Sequence, residues 1–226
     1  MNQNIKIAVD AIVFGYHEKE LKVLLIKQKY GHYKNCWALV GGFVKDEETL
    51  TEAVIRELEE ETGVKISYLE QLYTFGDNII RDPRYRVVTV AYFALVNSSR
   101  FDLKADTDAI DVKWCNVDEL PELAYDHNEI FNFALKRLKS KLSYQPIGFN
   151  LLEKEFLFSE LENLYCTILQ KNIDRRNFRK KILKFGILQE TKKVSENRHG
   201  RPAKYFKFND KKYNQLLKEG FIFEIN

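Results

Sequence analysis

The sequence predicts two joined domains: an α/β or α+β sandwich over residues 1–145, then a small helical domain with a two-stranded hairpin over residues 146–226. Three observations predict it. Strand-like and helix-like patterns interleave as far as Leu142, helix signals dominate beyond Asn150, and the net charge changes sign between the halves. At 226 residues the chain is long enough for two cores. Its 45% hydrophobic and 13% aromatic content argue against a disordered chain.

The first half opens on "IKIAVDAIVFGY" and "LKVLLIKQ", apolar and β-branched runs joined by the turn "HEKE". Thr49 to Thr62 reads as a helix, with Leu50, Ala53, Val54, Ile55 and Leu58 as its apolar stripe and Gly63 as its stop. Further strands follow in "ISYLEQLYTFG", "YRVVTVAYFALV" and "DVKWCNVDELPEL". A helix over Asp126 to Leu142 then faces inward through Ile130, Phe133, Ala134 and Leu138. "SYQPIGFN" (Ser143 to Asn150), with Pro146 and Gly148, reads as the linker.

The second half reads as three helices, a hairpin and a last helix. Ser159 and Glu162 have the spacing of a capping box, opening a helix that runs to about Gln170. Asp174 is the expected N-cap of "RRNFRKKILKFG", which turns Phe178, Ile182 and Phe185 inward and ends at Gly186. "ILQETKKV" and "AKYFKFN" flank the tip "SENRHGRP" as two strands. Helices followed by a basic-tipped hairpin describe a winged helix-turn-helix.

Composition narrows the setting. The longest apolar run, "VVTVAYFALV", is half of what a membrane helix needs, which takes about 20 residues. "MNQNIKIAVDAIVF" lacks the basic opening and cleavage site of a secretory signal, and Asp10 interrupts its apolar stretch. Cys36, Cys115 and Cys166 are widely spaced, without a CxxC pair, and read as reduced, buried apolar residues in a cytoplasmic protein. Residues 1–145 carry 19 Lys+Arg against 23 Asp+Glu, net −4, whereas Lys171 to Lys212 carry 15 against 4, net +11. That split points to an acidic sensing or catalytic unit joined to a basic unit that meets a polyanion.

The acidic unit contains the pattern G-x5-E-x7-R-E-U-x-E-E-x-G-U, U being a bulky aliphatic. Gly42, Glu48, Arg56, Glu57, Leu58, Glu60, Glu61, Gly63 and Val64 fill it. On a helix, Glu57, Glu60 and Glu61 are expected to converge on one face, where a hard divalent cation such as Mg2+ relieves their repulsion and bridges to diphosphate oxygens. Arg56 is expected to pair with Glu48, while Gly41 and Gly42 let backbone approach the metal or phosphate. This is the Nudix box, and residues 5 to about 142 resemble that superfamily. "WALVGGFV" and "RDPRYRVVTVAY" resemble its ADP-ribose-processing branch, with Val40 where the branch usually has Pro. The resemblance implies a Nudix αβα sandwich that binds a nucleoside diphosphate linked to another group. It also suggests an effector pocket lined by Lys27, Trp37, Gly41, Gly42, Asp77, Arg81 and Arg86. His17, His32 and His127 have no ligand spacing and are expected at the surface or in turns; Trp37 and Trp114 have the character of core residues.

In the basic unit, Arg175, Arg176, Asn177, Arg179, Lys180 and Lys184 lie on the helix that would enter a DNA major groove. Arg can bond guanine, Asn adenine, and lysines phosphates. Arg198, Arg201 and Lys204 belong to the hairpin, whose tip is made tight by Gly200 and stiff by Pro202. "DRRNFRKKIL" followed by "RHGRPAKYFKF" resembles the C-terminal domain of the Nudix-related transcriptional regulators, the NrtR family, and the likeness extends from Ile5 to about Phe223. It implies a homodimeric repressor on double-stranded operator DNA. Its Nudix-like domain would bind ADP-ribose or a free sugar such as a pentose, and its genes would serve NAD or carbohydrate metabolism. The alternative is a Mg2+-dependent Nudix hydrolase of ADP-ribose or a related nucleoside diphosphate, with Glu57, Glu60 and Glu61 holding the metal.

Overall fold

A computed structural model describes residues 4–66, 68–101, 103, 109–196, 202–221 and 223. The chain divides into two compact units, Met1–Arg137 and Leu138–Asn226.

The first unit is built on one long strand, β1 (Ile5–His17). Its second half pairs with β2 (Glu20–Gln28) through a tight turn in which Glu18 and Lys19 take φ of 51° and 65°. Both central residues are left-handed, the geometry that matches the twist of a two-residue hairpin. The first half of β1 pairs with β4 (Val40–Phe43). Along its other edge β1 runs parallel to β6 (Arg86–Asn97), from Ile5 opposite Arg86 to Tyr16 opposite Asn97. The rest of the seven-stranded sheet comprises β5 (Leu69–Phe75) beside β6, and β3 (Trp37–Ala38) and β7 (Ala109–Asn116) on β2. Ala8 to Tyr16 are all buried, as expected of a central strand covered on both faces.

Helix α1 (Leu50–Thr62) begins at Thr49, whose hydroxyl accepts the Glu52 N–H while the Glu52 carboxylate accepts the Thr49 N–H. It stops at Gly63, whose φ of 70° strains any residue with a Cβ. Ala53, Val54 and Leu58 are buried, but Ile55 is exposed, because it sits about 100° round the helix from Val54. Helix α2 (His127–Tyr144) buries Ile130, Phe131 and Ala134. Phe133, expected inside, is partly exposed and stacks on Tyr73 of β5 at 5.1 Å.

The second unit takes the end of α2, then β8 (Phe156–Leu157), α3 (Phe158–Leu169), α4 (Arg175–Lys184), the hairpin β9 (Leu188–Val194) and β10 (Lys204–Phe208), and α5 (Asp210–Glu219). Its small sheet has the order β8-β10-β9, with Phe206 between Phe156 and Glu190. Among the described residues from 146 on, two α-helices, α3 and α4, precede the hairpin, with a short 3-10 turn at Gly148–Leu151, where the sequence reading expects three helices. Two further expectations are corrected. The stretch Ser143 to Asn150 is not an exposed linker: Ile147, Gly148 and Phe149 are buried, and a Cβ on Gly148 would lie 2.9 Å from Leu164 Cδ2. Ser159 does not cap α3, which already begins at Phe158, and it is Glu160 that accepts the Leu157 N–H at 2.6 Å. Apolar residues at 147, 149 and 158 prevail over local turn chemistry because burying them stabilises the unit more than a cap does.

Candidate functional site

The sheet of the first unit and α1 frame a cleft of about 240 Å³. Gly41 and Gly42 of β4 form one wall, and the reason both are glycine is now specific. A Cβ on Gly42 would stand 2.2 Å from Glu57 Oε1, and one on Gly41 would stand 2.3 Å from the Val9 carbonyl oxygen. The glycines therefore admit Glu57 and β1 themselves.

Of the three box carboxylates, Glu57 and Glu61 line the cleft and Glu60 does not. Glu57 and Glu61 are about 40° apart around α1, while Glu60 lies about 60° beyond Glu57 on the side away from Glu61. Glu60 points outward and meets Arg56 Nη1 at 3.0 Å. Arg56 also binds Glu57 at 2.7 Å and grips both oxygens of Glu48 at 2.7 and 2.9 Å, as its spacing predicts. Those hydrogen bonds hold the Glu48 carboxyl down to about 2. Burial pushes Glu57 up against the opposing pull of Arg56. Glu61 Oε2 accepts the Gly41 N–H at 3.3 Å. The expected convergence of all three is thus replaced by a pair. Among the described residues no three His, Cys, Asp or Glu side chains gather closely enough to hold a metal ion. In type, the cleft pair suits Mg2+, which prefers oxygen donors, and Glu57 and Glu61 are the residues that would hold it.

The opposite wall carries a buried charge network with little signal in the sequence. Arg81 donates to Asp126 through Nε at 2.8 Å and Nη2 at 2.6 Å, and to Asp10 through Nη2 at 3.3 Å. His127, expected at the surface, is 5% exposed. Its Nδ1 accepts the Leu39 N–H at 2.9 Å, and its Nε2 lies 3.5 Å from Asp10 Oδ1. Burial pushes its pKa down, so the ring is neutral with its proton on Nε2. Asp82, Arg84 and Tyr125 complete this side. The one detectable signal was Asp10, a lone acid in an apolar central strand, where an unpaired charge is not tolerated.

Gly41, Gly42 and Arg81 thus lie where the sequence reading puts them, in the cleft, and Lys27, Trp37 and Asp77 do not line it. Lys27 and Lys113 instead flank Trp37, with ammonium groups 5.8 and 4.0 Å from its ring. Asp77 is exposed, and Arg86 binds the Gly76 carbonyl at 2.8 Å across the base of the β5–β6 loop. Cys36 is exposed, against expectation, whereas Cys115 is buried.

In the second unit, Asp174 Oδ1 accepts the N–H groups of Arg176 and Asn177 at 3.0 and 3.1 Å, opening α4 as predicted. Arg175, Arg176, Asn177, Arg179, Lys180 and Lys184 are all exposed, while Phe178 and Ile182 anchor the helix. Asn177 Nδ2 donates to Asp174 Oδ2 at 2.7 Å. The Arg179 guanidinium lies 4.5 Å from the Phe158 ring and 5.6 Å from that of Phe206. Lys204 pairs with Glu190 across the hairpin. Arg198 and Arg201 fall outside the described residues.

Residues 5–134 match the NUDIX domain family, and residues 148–208 match the NrtR DNA-binding winged helix domain. The chain is 33% identical, over 88% of its length and 80% of the relative's, to the ADPR responsive transcriptional repressor NtrR of Acinetobacter baylyi. The chain belongs to the NrtR family. NrtR of Shewanella oneidensis, solved with a 27mer DNA, superposes with a TM-score of 0.84 at 32% identity, covering 97% of this chain and 98% of that one. The NUDIX domain of the same NrtR, solved with ADP ribose, gives a TM-score of 0.55 at 37% identity over 61% and 90% of the two chains. The ADP-ribose pyrophosphatase of Methanocaldococcus jannaschii is 42% identical over 55% of this chain and 69% of its own length. The NrtR architecture, a Nudix domain followed by a winged helix, is therefore the fold of this chain. Among its described residues no helix is long and apolar enough to cross a membrane.

Proposed function

We propose that this NrtR-family chain is an ADP-ribose-responsive transcriptional repressor. The carrying observation is the joining, in one chain, of a cleft holding two arginines and a carboxylate pair to a capped helix with six exposed basic or amide side chains. The A. baylyi repressor and the S. oneidensis structures with DNA and with ADP ribose support it. On this reading Arg175, Arg176, Asn177, Arg179 and Lys180 enter the major groove, and the wing with Arg198, Arg201 and Lys204 lays an arginine in or beside the minor groove. Asn177 exchanges its Asp174 contact for a base. A homodimer in the cytoplasm presents two α4 helices to half-sites about 34 Å, one DNA turn, apart. ADP-ribose occupies the cleft and releases the operator, because it binds more tightly to the arrangement that does not fit DNA. NAD metabolism is the natural regulon of such an effector. Fluorescence anisotropy on the chain's own upstream DNA tests this: binding is expected to be sequence-selective, to weaken with salt, and to be lost on adding ADP-ribose. Binding that is indifferent to sequence and salt would sink it.

A second reading, Mg2+-dependent hydrolysis of ADP-ribose, is favoured by Glu57 and Glu61 in the cleft and by the identity to the M. jannaschii enzyme. A Mg2+ ion there would neutralise diphosphate oxygens and generate a nucleophile from water. AMP release abolished by Glu61→Gln would establish it, and no turnover over hours would remove it.

A further inference from the structure

Arg81 and Arg84 both reach the cleft from the loop between β5 and β6, but they are not equivalent. The Arg81 side chain is 5% exposed and faces two carboxylates, Asp10 and Asp126. Its charge is more than matched, and moving it would leave Asp126 buried without its ion-pair partner and Asp10 with only His127 Nε2, 3.5 Å away. The Arg84 side chain is 43% exposed and faces one carboxylate, Asp82, through Nε at 3.0 Å and Nη2 at 2.7 Å. Nη2 also donates to the Tyr125 hydroxyl at 3.3 Å, and Nη1 has no hydrogen-bond partner among the described residues. The Nε–Nη2 edge of the guanidinium fork is held by Asp82, and on the other edge Nη1 is open.

Three aromatic rings surround the guanidinium. The guanidinium carbon lies 5.9, 5.9 and 6.0 Å from the rings of Phe43, Tyr85 and Tyr125. Phe43 and Tyr85 remain partly exposed, and Tyr125 packs against Tyr33 with ring centroids 4.4 Å apart. Tyr125 takes φ of 56°, a left-handed backbone that is unfavourable for a bulky side chain, immediately before α2 begins. Strain of this kind persists where surrounding structure over-determines it, which is common at ligand clamps. Four carboxylates line the cleft against these two arginines, so an anionic ligand depends heavily on the arginine that faces a single acid and keeps an unfilled N–H group.

We propose that Arg84, held by Asp82 and positioned by the Tyr125 hydroxyl, is the side chain that binds the diphosphate of the effector, and that Arg81 braces the cleft instead. This rests on the ADP-ribose reading above. The test is release of operator DNA by ADP-ribose, followed by anisotropy, with thermal unfolding of each protein as a check on folding. Arg84→Gln is expected to need roughly 10- to 100-fold more ADP-ribose, the loss typical of a hydrogen bond to a charged group. Its affinity for DNA without effector should match that of the native chain. Arg84→Lys should recover part of the response, keeping the charge but not the fork. Tyr125→Phe should shift it less than Arg84→Gln. If both Arg84 variants release DNA at the native ADP-ribose concentration, the assignment is overturned while the function stands. A native chain that ADP-ribose does not release overturns the effector reading and this assignment with it.

Discussion

At the residue scale, His127 shows how burial decides chemistry. Its Nδ1 accepts a main-chain N–H from Leu39, two residues before the glycine pair, so the ring holds that wall of the cleft only while it is neutral. The charged groups facing it are Asp10 from β1, Arg81 from the loop and Asp126 beside it on the chain. Burial places its folded-state pKa below the ordinary value of 6.5. As pH falls below about 6.5, the unfolded chain takes up a proton that the folded chain refuses, and stability drops; above that value neither form is protonated and the slope vanishes. The unfolding free energy from urea titration is therefore expected to fall from pH 7.5 to 5.5, by at most about 1.4 kcal/mol per pH unit from this residue. In His127→Gln the slope should flatten, and an unchanged slope would show that another group sets it.

At the element scale, α1 and α4 present the candidate site residues on helices of similar construction and opposite charge. Each starts at a side-chain cap, Thr49 or Asp174, and each buries a narrow apolar stripe. The difference lies in where the polar residues fall. Around α1, angular position sends Glu57 and Glu61 into the cleft and Glu60 out to Arg56. Around α4, Phe178 and Ile182 take the buried side and the basic residues keep their exposure. Asp174→Ala removes the acceptor for two N–H groups and should lower the stability of the second unit by about 1 kcal/mol. The same change should weaken operator binding, through fraying of the turn that carries Arg175 and Arg176. Denaturant unfolding and anisotropy check both; unaltered values would mean the cap is dispensable.

At the scale of the whole molecule, sensing requires that effector and DNA each shift the other's binding, and by the same factor. The ADP-ribose concentration at half-saturation should therefore rise in the presence of operator DNA by the factor that ADP-ribose weakens the operator. Calorimetric titration of ADP-ribose with and without operator measures it, and identical affinities would exclude coupling. Ligand at 100 times its dissociation constant should stabilise the protein by about 2.7 kcal/mol in a thermal-shift experiment. A flat response to ADP-ribose with a shift from a free pentose would move the effector to a sugar and leave Glu57 and Glu61 without a diphosphate to serve.

Much of this protein follows from local pattern. The apolar, β-branched runs of β1 and β2, the stop at Gly63, the Asp174 cap and the Arg56–Glu48 pair all depend on residues near one another in the chain, and the charge split separates the two domains whose families the motifs resemble. The tertiary structure decided what spacing does not encode. Asp10, Arg81, Asp126 and His127 meet across separations of up to 117 residues, and "RDPR" does not distinguish an arginine matched by two acids from one with an open edge. Likewise "SYQPIGFN" has the composition of a linker, yet its apolar residues found a core to join. The physical reason is common to all three. Helix caps and turns are set by short-range hydrogen bonds, whereas burial and charge pairing depend on which distant surfaces the fold brings together.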